Sequence, residues 1–175
     1  KQRSSNAAKL YQQAARVAPT FQKIVHEAVQ GLEGVRPKFP KGLKKMQRIV
    51  EKAELKYRGN TDQVCDVNRC MLSCDSMKQV AAVLAIIANS PEIEITRLKD
   101  RFFHPSDGGW TDCMVNLRLK ADSSMHVCEV QIVHEQMLTA RQGLPGHSVY
   151  NRVRNASELM FFFRRRPQSK EELQE

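Results

Sequence analysis

From Cys113 onward the chain alternates, with Cys113, Val115, Leu117 and Leu119 on one face and Asp112, Met114, Asn116, Arg118 and Lys120 on the other. A period of two predicts a half-buried strand. The segment MHVCEVQI repeats the pattern and sets Glu129 and Gln131 on one face, because residues two apart in a strand point the same way. With Ala121 to Ser124 as a short turn, the two strands are expected to form a hairpin. Two further strands are read upstream: VCDVNRCMLSC, carrying Asp66 and Arg69, and the stretch marked by Ile93, Ile95 and Leu98. Aspartate is disfavoured in strands, so Asp66 asks for a reason.

The helical period appears first between Ser5 and Gly31, where Leu10, Ala14, Val17, Phe21, Ile24, Val25 and Val29 recur at steps of three and four. Pro19 is expected to kink or divide that helix. The segment LEGVRPKFPKG reads as a connection. A basic helix follows from Leu43 to Tyr57, with Lys44, Arg48 and Lys52 four apart along one face. Asp75-Ser76 supplies an N-cap for a helix to Asn89, whose stretch from Val80 to Ala88 is apolar enough to pack in a core. Beyond the hairpin, His134 to Gly143 is a short helix and Ser148 to Phe163 a last one. There Phe161, Phe162 and Phe163 adjoin three arginines, the pattern of an interfacial anchor or of a helix end packed on its own domain. The sum is an α/β (α+β) chain with a mixed central sheet flanked by helices.

Lysine and arginine outnumber aspartate and glutamate by 28 to 19 in 175 residues, a net charge of +9. That excess suits an anionic partner, a nucleotide or a nucleic acid, and equally a solvated basic surface. The length allows one ordinary domain, 34–163, with an N-terminal helical extension, 1–33, and a polar tail, 164–175. No apolar run reaches the length of a membrane span. Nor has the start the apolar core of a secretory signal. Cysteines 65, 70, 74, 113 and 128 lack the paired spacing of a zinc site. They read as small buried thiols in an intracellular, reducing compartment, cytoplasm or organelle matrix.

Taken in order, Asp66, Arg97-Leu98-Lys99-Asp100, Gly109-Trp110, Glu129-Val130-Gln131-Ile132, Met137, and Gly146-His147 with Tyr150 resemble the motifs of the RelA/SpoT-type alarmone synthetase domain. In that family a strand aspartate is followed by R-x-K-D, a Gly-Tyr loop, an E-V-Q-I strand, a methionine-bearing helix and a histidine turn. The resemblance covers roughly Lys41 to Tyr150 and implies a nucleotidyltransferase-like fold that transfers pyrophosphate from ATP to the 3′ oxygen of GDP or GTP. By resemblance Asp66 and Glu129 are the catalytic and metal-holding pair for Mg²⁺, with Glu129 also placed to take the proton of the attacking hydroxyl. Lys44 and Lys52 face the ATP donor, Arg97 and Lys99 contact phosphates, Trp110 offers the acceptor base a stacking platform, and Gln131 and His147 complete the substrate-binding set.

The chain departs from the family at three positions. Gly42 stands where an ATP-stacking arginine belongs, Met114 where the active synthetases carry a histidine, and Asp112 where they carry a small hydroxyl residue. Asp112 is therefore expected to bring a negative charge into a pocket meant for phosphates; His126 is the candidate substitute for the histidine if the hairpin brings it near. Three readings follow. One is a divergent pyrophosphotransferase acting on a nucleotide or RNA acceptor. Another is a catalytically silent module of the same fold, an RNA-binding or structural subunit of a large ribonucleoprotein assembly. The third leaves Asp66 and Glu129 as solvent-facing strand residues, against which stand their apolar neighbours Val64, Val67, Val127 and Val130.

Overall fold

The computed structural model describes residues 1–106 and 109–143, together with 152, 155, 156, 159, 160 and 163. Helix α1, Ala7–Val29, is capped by Asn6, whose side chain accepts from the Lys9 amide at 2.9 Å. Pro19 lies inside α1, which runs unbroken for 23 residues, so the expected division is corrected. An interior proline costs about 3 kcal/mol. Burial of Leu10, Val17, Phe21, Ile24, Val25 and Val29, at roughly 1.5–3 kcal/mol each, outweighs it.

Strand β1, Val35–Lys38, falls within the segment read as a mere connection. It pairs antiparallel with β2, Arg69–Cys74, at the sheet edge, where Pro37 can be tolerated. Gly34 leads into it with φ +74°, and a Cβ there would lie 2.1 Å from Gln79 Nε2. That close approach lets Gln79 donate to the Glu33 carbonyl and seat the start of α3, Met77–Asn89, on β1. Ser76 and Gln79 form a reciprocal capping box at this terminus.

Helix α2, Met46–Tyr57, begins later than its sequence pattern suggests, so Lys44 precedes it rather than lying on its face. Arg48 pairs instead with Glu51 on the exposed side. Strands β3, Ile93–Asp100, β4, Cys113–Leu119, and β5, Cys128–His134, complete a five-stranded sheet in the order β1-β2-β5-β4-β3. Only β2 and β5 run parallel; the other pairs are antiparallel. The β4–β5 hairpin forms as read, but its turn spans residues 120–127 and is organised by Asp122, which accepts from the Ser124 and His126 amides. Helix α4, Glu135–Gly143, follows β5 directly.

Asp66 is not a strand residue, since β2 starts at Arg69 and the preceding segment only approaches the sheet. Its side chain is drawn to two lysines and away from the ladder, in keeping with the poor fit of aspartate to a pleated strand.

The sheet has a covered face and a polar face. On the covered one, Cys70, Leu72, Cys74, Val115, Leu117, Cys128, Val130 and Ile132 pack with Val17, Phe21 and Val25 of α1 and Val80, Val83 and Ile87 of α3. A second cluster joins Leu10 and Ala14 of α1 to Ile49, Ala53, Val64 and Val67, fixing α2 beside the segment that carries Asp66. Gly146, His147 and Tyr150, and most of the last predicted helix, lie outside the described residues; Arg152, Asn155, Ala156, Leu159, Met160 and Phe163 are helical. Among the described residues, no helix is long and apolar enough to cross a membrane.

Candidate active site

Strand register assembles the polar face. Arg69 pairs with Glu129, Glu129 with Asn116, and Asn116 with Arg97, so four strands contribute one row of side chains. The next row is Met71, Gln131, Met114 and Lys99. Arg97 reaches its row only because β3 shifts register between Ile95 and Arg97. Thr96 is the extra residue, and its hydroxyl donates to the Asn116 carbonyl at 3.1 Å. Without that bulge Thr96 would oppose Asn116, and the basic side chains would change face.

Asp66 meets this row from below. Lys44 Nζ lies 2.6 Å from Asp66 Oδ2, and Lys52 Nζ 2.9 Å from Oδ1. The Lys44 amide also donates to the Val67 carbonyl at 2.9 Å, which holds that lysine beside the segment although it is outside the helix. Asp66 is 8% exposed. Burial alone would raise its pKa, but the Lys52 and Lys44 charges together outweigh burial and hold the carboxyl down to about 2. Burial lowers the Lys44 ammonium against the pull of Asp66, with Lys52 and Arg69 adding to the lowering. Asp66 Oδ1 is buried, and Lys52 meets it chiefly as a charge at 2.9 Å.

Glu129 is 7% exposed, and its amide donates to the Asn68 carbonyl at 3.0 Å, tying its strand to the segment that carries Asp66. Burial, and then the Asp66 charge, raise its pKa; Lys52, Arg101 and Lys44 act in the other direction. The two carboxylates thus face one electrostatic environment, with Lys44 and Lys52 acting on both. Coupled carboxylates with opposite shifts are what a site needs when one group stays ionised and the other accepts a proton near neutrality.

The residues fit a hard divalent cation. Carboxylate oxygens are the donors Mg²⁺ prefers, and Asp66 and Glu129 bring two buried carboxylates into one electrostatic environment. Among the described residues no group of three or more His, Cys, Asp or Glu side chains could hold a metal. Two carboxylates leave the remaining positions to water and substrate phosphate, the usual arrangement for Mg²⁺.

Around the pair the cationic groups are dense. Arg97 Nε donates to Asn116 Oδ1 at 2.8 Å, which orients the guanidinium. Burial lowers the Lys99 pKa, and Arg97, Arg101 and Lys56 lower it further, so these four cations share one neighbourhood. A cleft of about 120 Å³ lined by Tyr57, Cys65, Thr96, Arg97 and Asn116, with Lys1 and Gln63, adjoins the row.

Asp112 does not load the pocket with free negative charge. It is 0% exposed, Arg101 Nη1 lies 3.0 Å from its Oδ1, and the Trp110 indole nitrogen donates to its Oδ2 at 2.9 Å. The acid is neutralised and fixes Trp110 against Arg101, whose Nη2 also lies 3.1 Å from the Met114 sulfur. His126 has the alternation of the covered face, opposite to Glu129. Burial pulls its pKa down to about 4 against the Asp122 charge, so it is no stand-in for the missing histidine. Gln131 is half-buried on the Glu129 face. Arg101 and Asn116 were missed in the sequence, although Arg101 continues the two-residue spacing of Arg97 and Lys99 and the hairpin sets Asn116 opposite Glu129.

Similar folds recur among solved structures. The small alarmone synthetase 2 from Bacillus subtilis is 18% identical over 85% of this chain and 81% of its own, with a TM-score of 0.60. The small alarmone synthetase 1 from the same organism, bound to its product pppGpp, is 14% identical over 87% and 83%, also at 0.60. The Type VI effector Tas1, in complex with its immunity protein, is 18% identical over 78% of this chain, which spans 66% of that protein, again at 0.60. No curated protein matches the chain. At these identities the likeness concerns the fold, which is that of the RelA/SpoT synthetases. A family model of the region found in RelA / SpoT proteins matches residues 41–155, well over half of the chain, and the protein belongs to that family.

Proposed function

We propose that the chain is a divergent pyrophosphotransferase that moves a pyrophosphoryl group from ATP to the 3′-hydroxyl of a nucleotide or RNA acceptor. One observation carries the reading: Asp66 and Glu129 share the Lys44 and Lys52 charges, and Glu129 stands in one row with Arg69, Asn116 and Arg97. Family membership and the alarmone synthetase folds support it.

In this mechanism the acceptor 3′ oxygen attacks the β-phosphorus of ATP, the bond to the α-phosphate breaks, and AMP leaves. Glu129, whose proton affinity is raised by burial, takes the hydroxyl proton. Lys44 and Lys52 turn from Asp66 to the donor phosphates, which frees the Asp66 oxygens. Mg²⁺ held by Asp66 and Glu129 would neutralise charge on the transferred phosphates. Arg97 and Lys99 hold the equatorial oxygens, and Trp110, fixed by Asp112, stacks on the acceptor base. His147 and Gln131 complete the substrate contacts.

The assay is AMP release from ATP and Mg²⁺ with GDP, GTP, ADP or RNA as acceptor. Release dependent on one acceptor is the expected result, and none with any acceptor rejects the proposal. One observation favours the silent module: Met114 is buried where the active synthetases carry histidine, with Arg101 against its sulfur. RNA binding with a steep salt dependence, unchanged in Asp66→Asn and without AMP release, selects that reading.

A further inference from the structure

The segment before α1 lies outside the residues matched by the family, yet it reaches the floor of the site. Gln2 is 5% exposed. Its Nε2 donates to the Val64 carbonyl at 3.2 Å and to the Val127 carbonyl at 2.9 Å, and its Oε1 accepts from the Val127 amide at 2.8 Å. The Gln2 amide donates to the Asp62 carbonyl at 2.7 Å, and Thr61 Oγ1 donates to the Ser5 carbonyl, so the segment is laced to the chain just before Asp66. Val64 is two residues before Asp66, and Val127 is two before Glu129.

The paired ladder of β2 and β5 starts only at Arg69 and Glu129. The Glu129 amide donates to the Asn68 carbonyl at the end of this ladder; beyond that bond the two segments show no strand pairing, and the Gln2 primary amide fills the place of a peptide group between them. Val64 and Val127 are themselves buried, so a lost amide leaves their carbonyls and one N–H without water or partner. The segments then separate or admit water, and either response alters the spacing of the two acids.

Resting on the functional reading above, we infer that Gln2 is a positioning residue for the metal and donor site, setting the separation of Asp66 from Glu129 by bridging the backbone two residues upstream of each. A shared cation tolerates little change in that spacing, since displacements near 1 Å can cost about a hundredfold in rate. Lys44 and Lys52 are carried by α2 and the residues before it, whereas the hydrogen bonds of Gln2 go to Asp62, Val64 and Val127, so loss of those bonds acts on the carboxylate spacing more than on nucleotide binding through the lysines.

The test compares the full chain with Gln2→Met, which keeps the volume without the hydrogen bonds, and with Asn6→Ala, which removes the α1 cap and serves as a control for lost stability. Mn²⁺ binding is followed by electron paramagnetic resonance in the presence of a non-hydrolysable ATP analogue, with Val127 amide exchange and the kcat and KM of transfer in parallel. In Gln2→Met the Val127 amide exchanges faster, Mn²⁺ affinity drops about tenfold or more, and kcat falls with KM for ATP nearly unchanged. Asn6→Ala melts earlier and keeps wild-type Mn²⁺ affinity. If Gln2→Met lowers the melting temperature but binds Mn²⁺ and turns over like wild type, the inference is overturned while the functional reading stands. If the wild-type chain binds no Mn²⁺ and transfers nothing, the functional reading falls and this inference with it.

Discussion

The two faces of the sheet are built from the same strands, one residue out of phase, and they treat burial in opposite ways. On the covered face Leu72, Val115, Leu117, Val130 and Ile132 lose water to gain contact with α1 and α3. On the polar face Asp66, Asp112, Asn116 and Glu129 are also buried, and each needs partners to offset its desolvation. Asp66 and Asp112 have cationic partners within 3.0 Å, whereas the Asn116 amide nitrogen is buried without a partner among the described residues. The covered face accounts for stability. The polar face holds charge in poorly solvated places, which is useful for chemistry and unfavourable for the fold.

The largest break in that comparison is expected at Glu129. Its raised pKa means that the fold disfavours the carboxylate. Glu129→Gln removes the proposed base and the buried charge while keeping the shape. Transfer should fall about a thousandfold or more, and the melting temperature should hold or rise. AMP release and thermal melting check both halves; a variant that melts much earlier would show Glu129 to be a structural acid.

The opposite result is expected on the other face. Leu117 is fully buried in the α1 and α3 layer. Leu117→Ala should cost about 2–5 kcal/mol in urea unfolding. The folded fraction should retain wild-type Mn²⁺ affinity, because the change lies on the far side of the backbone from Glu129. Weakened Mn²⁺ binding in fully folded protein would mean that the two faces are coupled through the strands.

These contrasts also explain what the sequence disclosed. The alternation from Cys113 to Leu119 and the apolar stretch from Val80 to Ala88 are local periodicities, and both predict the observed elements because one side of each packs in the core. The bulge was not read, although the apolar step lengthens from two at Ile93–Ile95 to three at Ile95–Leu98 where the register shifts. β1 was hidden because Pro37 within it and Gly34, Pro40 and Gly42 around it carry turn signals, and only pairing with β2 makes it a strand. Lys44 and Lys52 were picked out by spacing along a helix, but they converge because Asp66 draws them, one from before α2 and one from within it. Compensation of Asp112 by Arg101 and bridging by Gln2 are contacts distant in sequence, and no local period encodes them.

Acid titration separates the two acids. Burial opposes ionisation of Asp66, but its lysines depress the pKa from 3.8 to about 2. A depressed carboxylate contributes stability that is fully present above its unfolded value and is lost as pH falls through the folded one. About 2 kcal/mol should therefore disappear between roughly pH 4 and pH 2. Glu129 has the opposite sign: raised above 4.5, its ionised form costs stability, and the cost is relieved as pH falls toward that value. Urea unfolding from pH 7 to 2 should show a shallow rise followed by a steeper loss. The rise should vanish in Glu129→Gln, and its persistence would move the effect to another group.

The smallest effect is expected at Glu94 and Arg118, and it tests whether face or burial governs these costs. Arg118 has the same strand phase as Asn116, and its guanidinium grips Glu94 through two contacts of 2.8 and 2.5 Å across β3 and β4. By geometry this is a well-formed, two-pronged ion pair. Both side chains are more open to water than that of Asp66, and that of Asp112 is fully buried. Hydrogen bonding to Arg118 lowers the Glu94 pKa, yet solvent screening leaves such a pair little influence on stability. Glu94→Gln should leave transfer unchanged and shift the melting temperature only slightly, and that shift should shrink in roughly 0.5 M salt. A loss as large as that of Leu117→Ala would show that membership of this face, rather than exclusion of water, sets the cost of disturbing it.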